Sequence, residues 1–373
     1  MITGDFKDSM KTITNIFCAL FLGTLTGFAQ EPVAPAAPSP APVQSSLLPP
    51  TPAATTPAPA PEATPAVQPP ANGEPQIARA QPVDDREVMT QLQIFLDQQN
   101  FGPGKIDGRG KLFTAQALDR YRQAHGLPIN GAIDADIPLG SVYPIYTTYT
   151  IKPEDLKFVG DVPAKPVDQA KKKYMPYPSL LEFIGERYHS DPDFLVSINK
   201  GTNMEKLKPG DTVRVPNVEP FKIEDLVENP KLPVKQEFLN RVITVDTKNR
   251  MLDVTDGDKL LASYPITPGS TTLPAPKGTW HILGICELPT FRHDESMLEH
   301  GVRSNDFQMI PIGPRNAVGV MWMGLNKPGI GIHGTNSPWN IGRTGSHGCI
   351  RVANWDVVRL SAMVTEGMKV VIK

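Results

Sequence analysis

The stretch Ile332-His333-Gly334-Thr335, followed across a loop rich in Gly, Asn, Ser and Pro by Ser346-His347-Gly348-Cys349-Ile350-Arg351-Val352, decides how the C-terminal part of this chain folds. Its two apolar runs read as short strands. His333 and Cys349 are sixteen positions apart, room for one strand to end, a loop to reverse and another strand to begin. The pair is what a thiolate nucleophile with a base beside it requires, so Cys349 is the candidate nucleophile and His333 the candidate base. The backbone carbonyl of Gly334 is a candidate to orient the imidazole. Backbone amides of His347, Gly348 and Cys349 lie in a turn where glycine allows close approach, and are candidates for holding an oxyanion, with Ser346 in support. The His347 side chain reads either as a second polar contact to substrate or as a structural histidine. Arg351 stands two residues beyond Cys349 and shares its face if the run is extended, there to bind a substrate carboxylate, lock the loop or form a structural ion pair. Thr335 is a further candidate for substrate binding.

Around this stretch the chain is mostly β. Residues 242–246, 251–254 and 260–266 are short strand-like runs separated by Lys248-Asn249-Arg250 and Asp256-Gly257-Asp258-Lys259, the rhythm of a meander. Helical periodicity is scarce until residues 355–364, and Lys369-Val370-Val371-Ile372 reads as a final strand. Residues 240–373 are therefore expected to form a mostly β domain with one or two helices.

Further upstream the pattern changes. Val88, Leu92, Phe95 and Leu96 have helical spacing, a Gly/Pro-rich turn runs from Phe101 to Gly108, and residues 114–122 form a second amphipathic helix stopped by Gly126-Leu127-Pro128. Beyond it, Tyr149-Thr150-Ile151 reads as a strand, residues 180–188 and 193–199 as helices, and Leu207-Lys208-Pro209-Gly210-Asp211 as a turn into a strand ending at Pro216.

The chain has 373 residues, enough for two or three domains with their own cores, and a net charge of −2 that gives no general electrostatic reason to bind nucleic acid. Many of its 40 prolines fall between Pro32 and Pro82, among Ala, Thr and Gln. Such a segment buries too little apolar surface to offset the entropy of ordering, and residues 30–84 read as an extended tether. Residues 1–29, with Met10 a second candidate start, contain Lys11 and an apolar run ending near Ala29. They read as a secretory signal, too short and too interrupted for a membrane anchor, which implies export across the inner membrane to the periplasm or cell wall.

Of the three cysteines, Cys18 leaves with the signal. Cys286 and Cys349 remain where a disulfide is the bland alternative, although Cys286 lies in an apolar strand-like run typical of an inert buried thiol. A zinc site using His333, His347 and Cys349 is a second alternative, short of a fourth ligand.

The Ser-His-Gly-Cys-Ile-Arg core with its upstream His-Gly-Thr, together with Asn316-Ala317-Val318-Gly319, Gly329-Ile330-Gly331, Ile341-Gly342 and Pro274-Ala275-Pro276-Lys277-Gly278-Thr279-Trp280, resembles the catalytic domain of the L,D-transpeptidases, the YkuD-like family, over residues 240–373. Residues 85–145 resemble the small three-helix peptidoglycan-binding domain, including its Thr-capped second helix. Residues 146–220 resemble a βααβ LysM module with an insertion between 151 and 178. The resemblance implies a multidomain α+β protein whose partners are peptidoglycan stem peptides and glycan. It has no membrane span after signal cleavage and needs no metal or organic cofactor. The implied reaction expels D-alanine from a tetrapeptide stem, holds the donor as a thioester on Cys349, and passes it to diaminopimelate, a lipoprotein lysine or water. A wall-binding protein with an inactive catalytic domain is the alternative. Tethering by the N-terminal modules implies that removing residues before Asn240 weakens action on whole sacculi more than on soluble tetrapeptides.

Overall fold

The computed structural model describes residues 85–228 and 232–373; the expected signal (1–29) and tether (30–84) lie outside the described residues. Helix α1 (Asp85–Gln98) buries Leu92, Phe95 and Leu96, as a spacing of three and four residues dictates. Helix α2 (Leu112–Ala124) packs on it through Leu118 and Tyr121, whose ring meets Phe95 edge-on at 5.0 Å between centroids. Gln93 fixes the turn between them: its Oε1 accepts from the amides of Asp107 (3.1 Å) and Gly108 (2.9 Å), and its Nε2 donates to Asp107 Oδ1 at 3.0 Å. Two expectations are corrected here. Among the described residues this region holds two α-helices, not three, because Pro128, Gly131 and Pro138 interrupt the chain and only a 3-10 turn, Leu139–Ser141, follows. Thr114 does not cap α2; it is buried, and its hydroxyl accepts from Gln93 Nε2 at 3.2 Å.

Strand β1 (Tyr146–Thr150) is followed by a short α3 (Pro166–Gln169), then α4 (Leu180–Arg187), α5 (Pro192–Ile198) and β2 (Thr212–Pro216), which pairs antiparallel with β1. Ser179 starts α4 by accepting from the Glu182 amide at 3.2 Å, and Asp191 starts α5 by accepting from Asp193 N at 2.8 Å. The insertion after Ile151 packs back onto α4, where Phe158 stacks on Phe183 at 5.9 Å.

The C-terminal part is a closed eight-stranded barrel. Strands β3 (Arg241–Asp246), β4 (Met251–Asp256) and β5 (Lys259–Thr267) form the antiparallel meander. After β6 (Gly278–Glu287), a two-stranded excursion of β7 (Phe291–His293) and β8 (Gln308–Ile310) carries α6 (Glu295–His300). Strands β9 (Met321–Leu325), β10 (Gly331–His333) and β11 (Ile350–Val352), helix α7 (Asn354–Ser361) and β12 (Lys369–Ile372) complete the chain. Around the barrel the order is β10-β11-β5-β4-β3-β12-β6-β9, with β12 parallel to β3 and β10 parallel to β11. Strand alternation buries Ile243, Val245, Leu252, Val254, Ala262, Ile332, Ile350 and Val370 in the core.

The N-terminal elements pack directly on this barrel. Gly102 N donates to Ser263 O at 2.7 Å and Ser263 N to Asn100 O at 2.9 Å, which docks the α1–α2 turn on β5. Arg359 of α7 pairs with the buried Asp97 at 2.8 Å, and His189, itself 3.0 Å from Asp97, stacks on Trp355 at 5.4 Å.

Candidate active site

Strands β10 and β11 run side by side in parallel, with Ile332 opposite Ile350 and His333 opposite Arg351. Paired residues on neighbouring strands share a face, so the two isoleucines, fully buried, point to the core and His333 and Arg351 lie on the other side. Cys349, two residues before Arg351, joins that side at the strand entrance. Its Sγ donates to Gly329 O at 3.3 Å. Trp322 of β9, opposite His333 in register, stacks on the imidazole at 5.3 Å. Cys349, His333 and Arg351, singled out in the sequence, are thus brought together.

A carbonyl oxygen can only accept, so the 2.7 Å contact from His333 Nδ1 to Gly334 O places the ring proton on Nδ1 and leaves Nε2 as a lone-pair acceptor. Burial, with a further contribution from the Arg351 charge, holds the His333 pKa down to about 3, so the ring is neutral at physiological pH. Burial also raises the Cys349 thiol, against smaller opposing effects from the Gly331 amide and Arg351. At rest Cys349 is a neutral thiol and His333 a neutral imidazole with an open acceptor nitrogen.

The cysteine loop is shaped by its neighbours. Gly348 has φ +99°, a conformation in which a side chain is strained. Ser346 is buried, donates its hydroxyl to the Cys349 carbonyl, and accepts at its own carbonyl from Ser270 N at 2.8 Å. Arg351 Nη1 donates to Gly345 O at 3.2 Å; among the described residues no carboxylate lies within ion-pair distance of it, and its buried Nε has no partner. The His347 side chain is exposed, and among the described residues no group of three or more His, Cys, Asp or Glu is arranged to hold a metal ion. Cys286 and Cys349 are not joined in a disulfide.

Two residues that matter here escaped the sequence reading. Trp322 covers His333, and only strand order brings it there. Asn354, fully buried at the start of α7, accepts at Oδ1 from Thr335 N (3.0 Å) and Val320 N (3.4 Å) and donates from Nδ2 to Thr335 O (3.0 Å). Thr335 is itself buried, its amide and carbonyl held by Asn354 and its hydroxyl accepting from Ser337 N at 3.2 Å.

A closed, mostly β barrel with a base-competent histidine on one of two neighbouring parallel strands and a cysteine at the entrance of the other defines a candidate acyl-transfer site. The sequence matches the YkuD L,D-transpeptidase catalytic domain over residues 240–372, and this part of the protein is a domain of that family. A Bacillus licheniformis protein named as the L,D-transpeptidase YkuD is 28% identical over 191 residues, 51% of this chain and 91% of its own. The protein so named in Bacillus subtilis is 31% identical over 130 residues, 35% of this chain and 64% of its own. Among solved structures, a mutant L,D-transpeptidase of Enterococcus faecium shares 23% identity at a TM-score of 0.28, covering 36% of this chain. The chain spans half the length (50%) of that structure's chain.

Proposed function

We propose that this protein is an exported cysteine L,D-transpeptidase acting on the tetrapeptide stems of peptidoglycan. The observation that carries the reading is the placement of His333 on β10 and of Cys349 at the entrance of the paired β11, with the His333 Nδ1 proton engaged by Gly334 O and Nε2 left to accept. Cys349 Sγ attacks the carbonyl of the third stem residue while its proton moves to His333 Nε2. The oxyanion that forms is held by backbone amides of the His347-Gly348-Cys349 turn. Collapse breaks the amide bond, His333 returns the proton to the leaving D-alanine amine, and the donor stays as a thioester on Cys349. An amine of diaminopimelate or of a lipoprotein lysine then attacks the thioester and restores the thiol; attack by water makes the enzyme an L,D-carboxypeptidase. Arg351, with an unpaired Nε beside the pair, is the group to receive a substrate carboxylate. None of these steps uses a metal or organic cofactor. The helical region 85–145 and the strand-helix-helix-strand region 146–220 are proposed to contact peptidoglycan glycan, on their likeness to wall-binding modules.

Mass spectrometry of the mature protein incubated with purified tetrapeptide muropeptides tests this, with Cys349→Ala in parallel. D-alanine release with new crosslinked dimers, absent in the variant, is the expected result. Tripeptide monomers alone would mark a carboxypeptidase, and no change in either sample would leave a wall-binding protein.

A further inference from the structure

Helix α4 sits outside the catalytic domain, yet three residues on one of its faces reach the loop that leaves His333, Gly185 directly and Glu182 and Glu186 through Arg315 and Asn354. Glu182, Gly185 and Glu186 follow helical spacing, so they share a side. Glu186, fully buried, accepts at Oε1 from Asn354 Nδ2, the same amide group whose other contacts hold Thr335 and Val320. Glu182 pairs with Arg315, whose Nη1 in turn donates to the carbonyl of Asn336. Gly185 lies against Trp339, close enough that a Cβ there would come within 3.1 Å of the indole. Residues 335, 336 and 339 are thus gripped from one helix. Gly334, whose carbonyl orients the His333 ring, is wedged on the same amide: a Cβ on Gly334 would lie 2.2 Å from Asn354 Oδ1.

We infer that Glu186, supported by Glu182, is a positioning residue for the catalytic loop: through Asn354 and Arg315 it fixes the Gly334 carbonyl and hence the imidazole that serves Cys349. A module proposed to contact glycan then also forms part of the scaffold of the active site. The inference rests on the proposed Cys349–His333 chemistry. Asn354 needs an acceptor for its remaining Nδ2 hydrogen in a buried place, and the catalytic domain turns to a neighbouring helix to supply one.

The test measures two things on the full mature chain with Glu186→Ala, Glu186→Gln, Glu182→Ala and His333→Ala. Hydrogen exchange of the peptide spanning residues 333–340 reports the loop directly, with exchange in β3 and β4 as the check on folding. Acetylation of Cys349 by 4-nitrophenyl acetate, followed as nitrophenolate release, reports acyl transfer without any peptidoglycan. Glu186→Ala is expected to raise loop exchange and slow acetylation by about 10- to 100-fold, the scale of an ångström-level misplacement. Glu186→Gln, which keeps an oxygen facing Asn354, is expected to restore both. Glu182→Ala removes a partly exposed side chain, and is expected to act in the same direction more weakly, which keeps a readable variant if Glu186→Ala fails to fold. Unchanged loop exchange in folded Glu186→Ala or Glu182→Ala, or faster exchange with acetylation at the wild-type rate, would overturn the inference. Acetylation indifferent to His333→Ala would instead overturn the Cys–His reading, and the exchange data would still decide whether α4 holds the loop.

Discussion

At the scale of single residues, the site is set by burial more than by charge. Burial keeps His333 neutral and raises the Cys349 thiol, so the thiolate is not a resting species. Alkylation of Cys349 by iodoacetamide is therefore expected to keep climbing with pH through 6 to 8 and to level off only above the ordinary thiol range. A reactive plateau near pH 6 would mean a pre-formed thiolate–imidazolium pair and would contradict this electrostatic picture. Cys349, His333 and Arg351, the candidate nucleophile, the candidate base and the arginine proposed for substrate binding, could be singled out in the sequence because acyl-transfer chemistry would fix residue types and bring them within a few positions of two short strands. Trp322, Asn354 and Glu186 were not. They reach the site through strand order and packing across 11, 21 and 147 residues counted from His333, and local periodicity carries no record of such contacts.

At the scale of elements, the barrel's closing strands are spaced for backbone approach around Asn354. Gly319, at φ +64°, and Gly334 each face its Oδ1, and a Cβ on either would sit 2.2 Å from that oxygen. Gly334→Ala is expected to lower stability by about 1–3 kcal/mol and to slow D-alanine release, since relief requires the loop carrying Thr335 to move. Gly284→Ala on β6, where a Cβ meets nothing within 4 Å, is expected to stay within about 0.5 kcal/mol of wild type. Thermal unfolding of the two variants side by side separates a local clash from a general intolerance of strand substitutions; equal losses would count against the Asn354 wedge. The meander β3–β5 and helix α7 could be read in advance from alternation and periodicity. The insertion of β12 between β3 and β6 could not, because a parallel pairing to a distant strand leaves no turn signal between the partners. Nor could α6, whose six residues are too short for periodicity to show.

At the scale of the whole molecule, the described N-terminal elements share a buried interface with the barrel, and two carboxyls at that interface set a pH dependence. Burial raises Glu186 from 4.5 to about 7 and Asp356 from 3.8 to about 8. Both bind protons more tightly folded than unfolded, so their contribution to stability is complete at low pH and is lost as pH rises toward 8. The neutral His333 and the depressed Asp97 act in the opposite sense, losing their contribution as pH falls below 6.5 and below 4 respectively. Stability is expected to fall between pH 6.5 and 8, and Asp356→Asn, which mimics the protonated form, is expected to flatten that fall; an unchanged slope would show that Asp356 is ionised in the fold. The same interface changes what truncation should do. If the N-terminal region only raised local substrate concentration, removing residues before Asn240 would spare soluble tetrapeptides. Removal instead strips Asp97 from Arg359, Glu186 from Asn354 and His189 from Trp355, exposing an apolar and ionic surface on α7 and loosening the loop beside His333. The truncated domain is therefore expected to unfold at lower temperature and to lose turnover on soluble tetrapeptides as well as on sacculi. Full activity on the soluble substrate with a selective loss on sacculi would return the region to the role of a tether alone.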